Sequence, residues 1–184
     1  GYVTYMEVDG VEITPATTYT FTTTGTHSIK ITASTVYALF KGCTDLTKVD
    51  FSECDGSKMI NFEGVFYNAS NLTDIVWGEC IFPNAENLHY CFYNAEMLTS
   101  VDFTPFAGAK ITTIYSIFQG CSKLVSADFS GMDLSKVTSI QNMFNGCSAL
   151  KSVKFSAFAK VTSASSAFYN CSSLTSIDLS PLGG

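Results

Sequence analysis

Phe40-Lys41-Gly42-Cys43-Thr44-Asp45-Leu46-Thr47-Lys48-Val49-Asp50-Phe51-Ser52 is answered near the other end of the chain by Phe168-Tyr169-Asn170-Cys171-Ser172-Ser173-Leu174-Thr175-Ser176-Ile177-Asp178-Leu179-Ser180. Between them the same phrase recurs from Phe66, Phe92, Phe118 and Phe144. The six anchors are therefore spaced by 26 residues, except for a last interval of 24. A fixed period of this size predicts stacked units, because one such unit cannot bury its apolar face alone.

With the anchor Phe counted as zero, each slot of the repeat has a readable character. Five before it stand Thr35, Asn61, Asn87, Thr113, Ser139 and Ser163, all residue types that cap helix N-termini. Two after it stand Gly42, Asn68, Asn94, Gly120, Gly146 and Asn170, the types that tolerate the left-handed conformation with which helices end. Apolar residues fall four before, one before and at the anchor, as in Ile114, Ile117 and Phe118. The spacing predicts a helix of about two turns in every repeat. Beyond it the period changes to two, with Leu46, Val49 and Phe51 directed inward and Lys48, Asp50 and Ser52 outward. Six short strands are then expected side by side in a parallel sheet on one face, with helices opposite. Parallel crossovers of this kind wind right-handed.

Residues 1–33 lack the repeat and are expected to form an N-terminal β cap ahead of a solenoid over 34–184. Met6-Glu7-Val8-Asp9-Gly10-Val11-Glu12-Ile13 reads as two alternating segments about an Asp-Gly turn, a strong hairpin signal. Tyr19 to Thr23 and Ser28 to Thr32 read as a second hairpin turning at Gly25. At the other end, Pro181-Leu182-Gly183-Gly184 leaves the edge of Thr175 to Leu179 open, either for a second copy to pair as a dimer or for further chain.

Composition narrows function. Hydrophobic residues make up 46% of the chain, which is ample for a core, and the net charge of −6 is carried against ten basic residues that are all Lys. A chain without Arg and with an acidic balance is a poor match to nucleic acid. Neither a charged-then-apolar leader nor an 18-residue apolar run occurs, so no signal peptide or membrane span is expected in the chain as given.

The run Met143-Phe144-Asn145-Gly146-Cys147-Ser148-Ala149-Leu150, followed by Ser152-Val153-Lys154-Phe155-Ser156, resembles the BspA-like class of leucine-rich repeats. The resemblance extends over about residues 35 to 182, with Ala69 and Ala95 replacing Cys, Val76 and Lys154 replacing Asp, and a shortened fifth unit. It implies a secreted or surface-anchored protein of host-associated bacteria, with adhesion or binding of host or neighbouring-cell protein as the usual role. It also leaves room for a lipid anchor outside this chain. It supplies no catalytic residues.

Two columns are candidate protein-binding positions. Asp50, Asp102, Asp128 and Asp178 share an outward strand slot with Val76 and Lys154, beside a second column of Lys48, Asp74, Ser100, Ser126, Ser152 and Ser176. Asp102 and Asp128 would stand one strand apart, a repulsion that a cation or basic partner relieves. The plainer reading is a solvated sheet surface. Tyr67, Tyr93 and Tyr169 follow the anchor on the opposite side and offer an aromatic strip, or simple packing over a helix end.

The remaining chemistry is sparse. Cys43, Cys121, Cys147 and Cys171 share a slot with Ala69 and Ala95, which predicts small core thiols. Cys54 and Cys80 share another slot at a spacing that permits a disulfide, although their apolar company favours two buried thiols. Cys91 reads as core. His27 and His89 lie far apart in sequence with no Cys or carboxylate motif, and no catalytic, cofactor-binding or metal-ligating constellation is recognisable. Two functions follow from different classes: a noncatalytic recognition or adhesion module, and a structural spacer presenting another domain.

Overall fold

The computed structural model describes residues 3–14, 29–33, 36–159 and 161–183. Strands β1 (Val3–Val8) and β2 (Val11–Ile13) form the hairpin expected around Asp9-Gly10. Both turn residues have positive φ, 50° and 80°, as a two-residue turn between twisted antiparallel strands requires. Strand β3 (Ile29–Ala33) adds to the other edge of β1, giving the order β2-β1-β3. The expected strand Tyr19 to Thr23, its turn at Gly25 and His27 lie outside the described residues.

The repeats stack with a solenoid-like register. Strand β4 (Lys48–Asp50) pairs in parallel with β5 (Asp74–Val76), and β6 (Ser126–Asp128) with β7 (Ser152–Lys154). In both pairs each residue faces its own repeat equivalent, as Val49 faces Ile75 and Ala127 faces Val153. The anchor phenylalanines form one continuous column. Successive ring centroids from Phe40 through Phe66, Phe92, Phe118 and Phe144 to Phe168 lie 5.6, 5.5, 5.3, 5.8 and 5.6 Å apart, with the rings within 15° of parallel. The four inner members are buried, and the two end members are partly covered. A second stack of rings backs the strands, with Phe51 on Trp77 at 5.1 Å and Phe103 on Phe129 at 4.8 Å.

Two expectations require correction. No α-helix occurs among the described residues. The residue two before the anchor adopts positive φ in all six repeats: Ala38 50°, Gly64 62°, Tyr90 55°, Ser116 54°, Asn142 53° and Ser166 56°. A left-handed residue in the middle of two turns ends the helical ladder. The chain runs instead as overlapping turns. Alternate N–H groups bond three residues back, as Leu39 to the Val36 carbonyl at 3.1 Å and Lys41 to that of Ala38 at 3.2 Å. The intervening ones donate to the next repeat: Ala38 to the Glu63 carbonyl, Phe40 to Val65 and Gly42 to Tyr67, at 2.7–2.9 Å. The caps foreseen five before the anchor do exist, but they close turns, with the Glu63 N–H on Asn61 Oδ1 and the His89 N–H on Asn87 Oδ1, both at 2.9 Å.

The six-stranded sheet is also incomplete. The third and sixth repeats form no named strand at 100–102 or 176–178. These are the two repeats whose Asp slot is followed by Thr104-Pro105 or Ser180-Pro181, and in both the chain turns into a short 3-10 segment, Thr104–Phe106 or Ser180–Leu182, with Pro in its first turn. One slot departs in burial as well. Cys121, Cys147 and Cys171 are core thiols as expected, whereas Cys43, in the first repeat, is exposed.

Candidate protein-binding face

On the turn face, the left-handed residue at minus two has a consequence for its neighbours. It lifts the side chains at minus three and minus two away from the core, beside those at plus one. A depression of about 440 Å³ is lined from these three slots alone. Its floor is Ala38 and Gly64, with Tyr90 and Asn142 further along the same column. One bank is Tyr37 and Glu63, and the other is Lys41, Tyr67, Tyr93 and Gln119.

Two of the expected tyrosines meet here. Tyr67 and Tyr93 stack at 4.6 Å with their planes 5° apart. Lys41 Nζ lies over the Tyr67 ring, 4.9 Å from its centroid, which is cation–π range. Tyr90 stands perpendicular to both, at 5.9 Å from Tyr67 and 5.4 Å from Tyr93. Partial burial, with Tyr67 and Tyr90 beside it, pushes the Tyr93 phenol above its ordinary range, so its hydroxyl remains a donor at neutral pH. Tyr169 does not join them. Gln119 and Asn145 occupy its slot in the two repeats between, and it stands alone at 62% exposure.

Tyr90 and Tyr115 of this face escaped the sequence reading, and His89, set aside there for want of a motif, lies between them. His89 packs against Tyr90 and Tyr115, with ring centroids 3.6 and 3.5 Å away, and is only 8% exposed. Burial pushes its pKa down to about 4, so it is neutral at pH 7, and its Nε2 has no hydrogen-bond partner among the described residues. The available signal was the clustering of His89, Tyr90 and Tyr115 in two adjoining slots of neighbouring repeats.

The Asp column on the strand face is differently employed. Asp50, Asp102, Asp128 and Asp178 each accept the N–H of the residue two ahead, Ser52, Thr104, Ser130 and Ser180, at 2.8–3.0 Å. The hydroxyls of Thr104 and Ser130 bond the same carboxylates. These bonds hold the Asp50 and Asp178 carboxyls below the usual range and Asp128 at about 2, with Lys154 Nζ, 3.0 Å from Asp128, as a lesser contributor. Wherever it holds Asp, the slot thus closes the turn that follows it. The repulsion expected at Asp128 is answered by Lys154 one repeat on. No group of three or more His, Cys, Asp or Glu suited to a metal is found among the described residues.

The thiols are structural in placement. Cys121, Cys147 and Cys171 donate to the anchor carbonyl of the preceding repeat, Phe92, Phe118 and Phe144, at 2.9, 3.0 and 3.1 Å. Cys54 and Cys80 are both free, Cys80 buried and Cys54 half-buried. Burial and the neighbouring Cys80 thiol push Cys54 up to about 12, far from the thiolate form.

A family model for the BspA type leucine-rich repeat region matches the chain in six copies, over residues 14–139 and 63–182. No curated protein and no solved structure shows significant similarity to it.

Proposed function

Since the chain belongs to the BspA type leucine-rich repeat family, we propose that it is a noncatalytic, secreted or cell-surface recognition module that binds host or neighbouring-cell protein through its tyrosine-lined turn face. The observation that carries this reading is the convergence of Tyr67, Tyr90 and Tyr93 beside Lys41 on one open groove. Tyrosine is a typical anchor of protein interfaces, joining a large apolar ring to a polar tip. Asp50, Asp102, Asp128 and Asp178 form a subordinate candidate, because their carboxylates are already held by turn caps. Tyr169 is a peripheral one.

The finer architecture in this proposal is a right-handed stack of six coils, following the general hand of parallel crossovers, with residues 1–33 as its N-terminal β cap. A spacer role has its own support in the unbroken phenylalanine column, which suits a stiff stalk. The test is surface plasmon resonance against immobilised collagen, laminin and fibronectin. Saturable binding to at least one, weakened about tenfold or more by Tyr67→Ala with Tyr93→Ala, is expected. Retention of none leaves the spacer reading.

A further inference from the structure

We infer that the tyrosine groove accepts an extended, proline-containing peptide segment in the polyproline II conformation; this rests on the protein-binding reading above and names the ligand it implies. The shape comes first. The minus-two slot is filled by Tyr90 in the third repeat but only by Ala38 and Gly64 in the first two, so the groove floor is vacant up to a wall made by the Tyr90 ring. A Cβ placed on Gly64 would meet only Tyr67 Cβ, at 3.7 Å, which leaves open space above the floor.

The available ring surface decides between ligand classes. A sugar ring stacks flat on a free aromatic face. Tyr67 is a poor platform for one, since Tyr93 stacks on it at 4.6 Å and Lys41 Nζ stands 4.9 Å from its centroid. Tyr67, Tyr90 and Tyr93 together offer the corner between perpendicular planes, with their phenol hydroxyls beside it. Pyrrolidine rings pack into such corners, and every carbonyl of a polyproline II segment lacks an internal partner and is open to those hydroxyls.

The periods also agree. A polyproline II helix advances about 9.3 Å per three-residue turn. Two repeats at a strand spacing of about 4.8 Å advance about 9.6 Å. A residue seated over Ala38 therefore brings the next residue of its own face to Tyr90, two repeats along. The preformed helix loses little conformational freedom on docking, which suits a groove this shallow.

The test is an NMR titration of the full chain, with isotope-labelled tyrosine, using an acetylated and amidated proline decamer. A Gly-Ser decamer and chitotetraose serve as controls. Saturable shifts of the Tyr67, Tyr90 and Tyr93 ring resonances with the proline decamer alone are expected. Affinity should fall at least about fivefold in Tyr90→Ala, fall less in Tyr90→Phe, and stay unchanged in Tyr169→Ala. Shifts with chitotetraose alone would replace the peptide by a glycan. Silence with the decamer, while the tyrosine variants still lose binding to a matrix protein, overturns this inference and leaves the protein-binding reading standing. Silence together with tyrosine variants that bind matrix protein normally overturns both.

Discussion

The strand face and the turn face are built from the same repeat, yet they leave their polar and aromatic groups in opposite conditions. On the strand face each Asp side chain of the column is tied to its own turn and Asp128 is matched by Lys154. On the turn face the tyrosines contact chiefly one another, and His89 Nε2 lacks a partner among the described residues. The first face is self-contained and the second is open to something else. The slots that close turns or fill the core are those where the repeats agree, and the aromatic groove is built from slots where neighbouring repeats differ.

The strongest way to break this contrast is to remove what both faces share. Phe118→Ala empties a fully buried site between Phe92 and Phe144, and about 3–5 kcal/mol of stability is expected to be lost in urea unfolding. Both faces should melt in one transition. Next comes a test confined to the turn face. Gly120 has φ 81°, and a Cβ there would run into Asn94 Oδ1, so Gly120→Ala should cost about 1–3 kcal/mol. Ser100→Ala, in the outward strand column, should cost under about 0.5 kcal/mol by the same measurement.

Protonation separates the faces further. His89 has its folded pKa depressed from 6.5 to about 4, so below pH 6.5 the unfolded chain binds the proton first. Stability is full above pH 6.5 and falls as pH drops toward 4, by on the order of 2 kcal/mol. His89→Phe should flatten this part of the urea-midpoint profile, and an unchanged slope would remove His89 from the account. Cys147→Ala, which deletes the thiol bond to the Phe118 carbonyl, should cost about 1 kcal/mol, since Ala69 and Ala95 already fill that slot elsewhere. Smallest of all is the exposed pair of Asp128 and Lys154. Asp128→Asn should change stability by a few tenths of a kcal/mol, vanishing in high salt. What little the carboxylate contributes is present above its ordinary pKa of 3.8 and disappears as pH falls toward about 2.

The sequence made the stack legible because burial repeats with the period: the anchor column, the strand-side rings and the inward thiols all follow from counting. The backbone of the turn face did not follow. Asn, Ser, apolar and Gly at helical spacing describe a capped helix and a ladder of turns equally well, and what separates them is positive φ at minus two. Only Gly64 and Asn142 are residue types that advertise it; Ala38, Tyr90, Ser116 and Ser166 are not. A helix would also have set His89 and Tyr90 beside Tyr93, four and three residues back, but nothing in the pattern shows the left-handed turn that packs His89 against Tyr90 and Tyr115. Tyr67 and Tyr93 were found because adjacency in a stack needs only the period.

The alternate N–H groups that donate to the following repeat point along the stacking direction, as from Phe66 to Cys91 and from Phe92 to Ile117. A tensile force applied along that direction meets a whole layer of such bonds loaded together, backed by the flat ring column. The molecule should therefore resist stretching as a stiff rod and yield layer by layer.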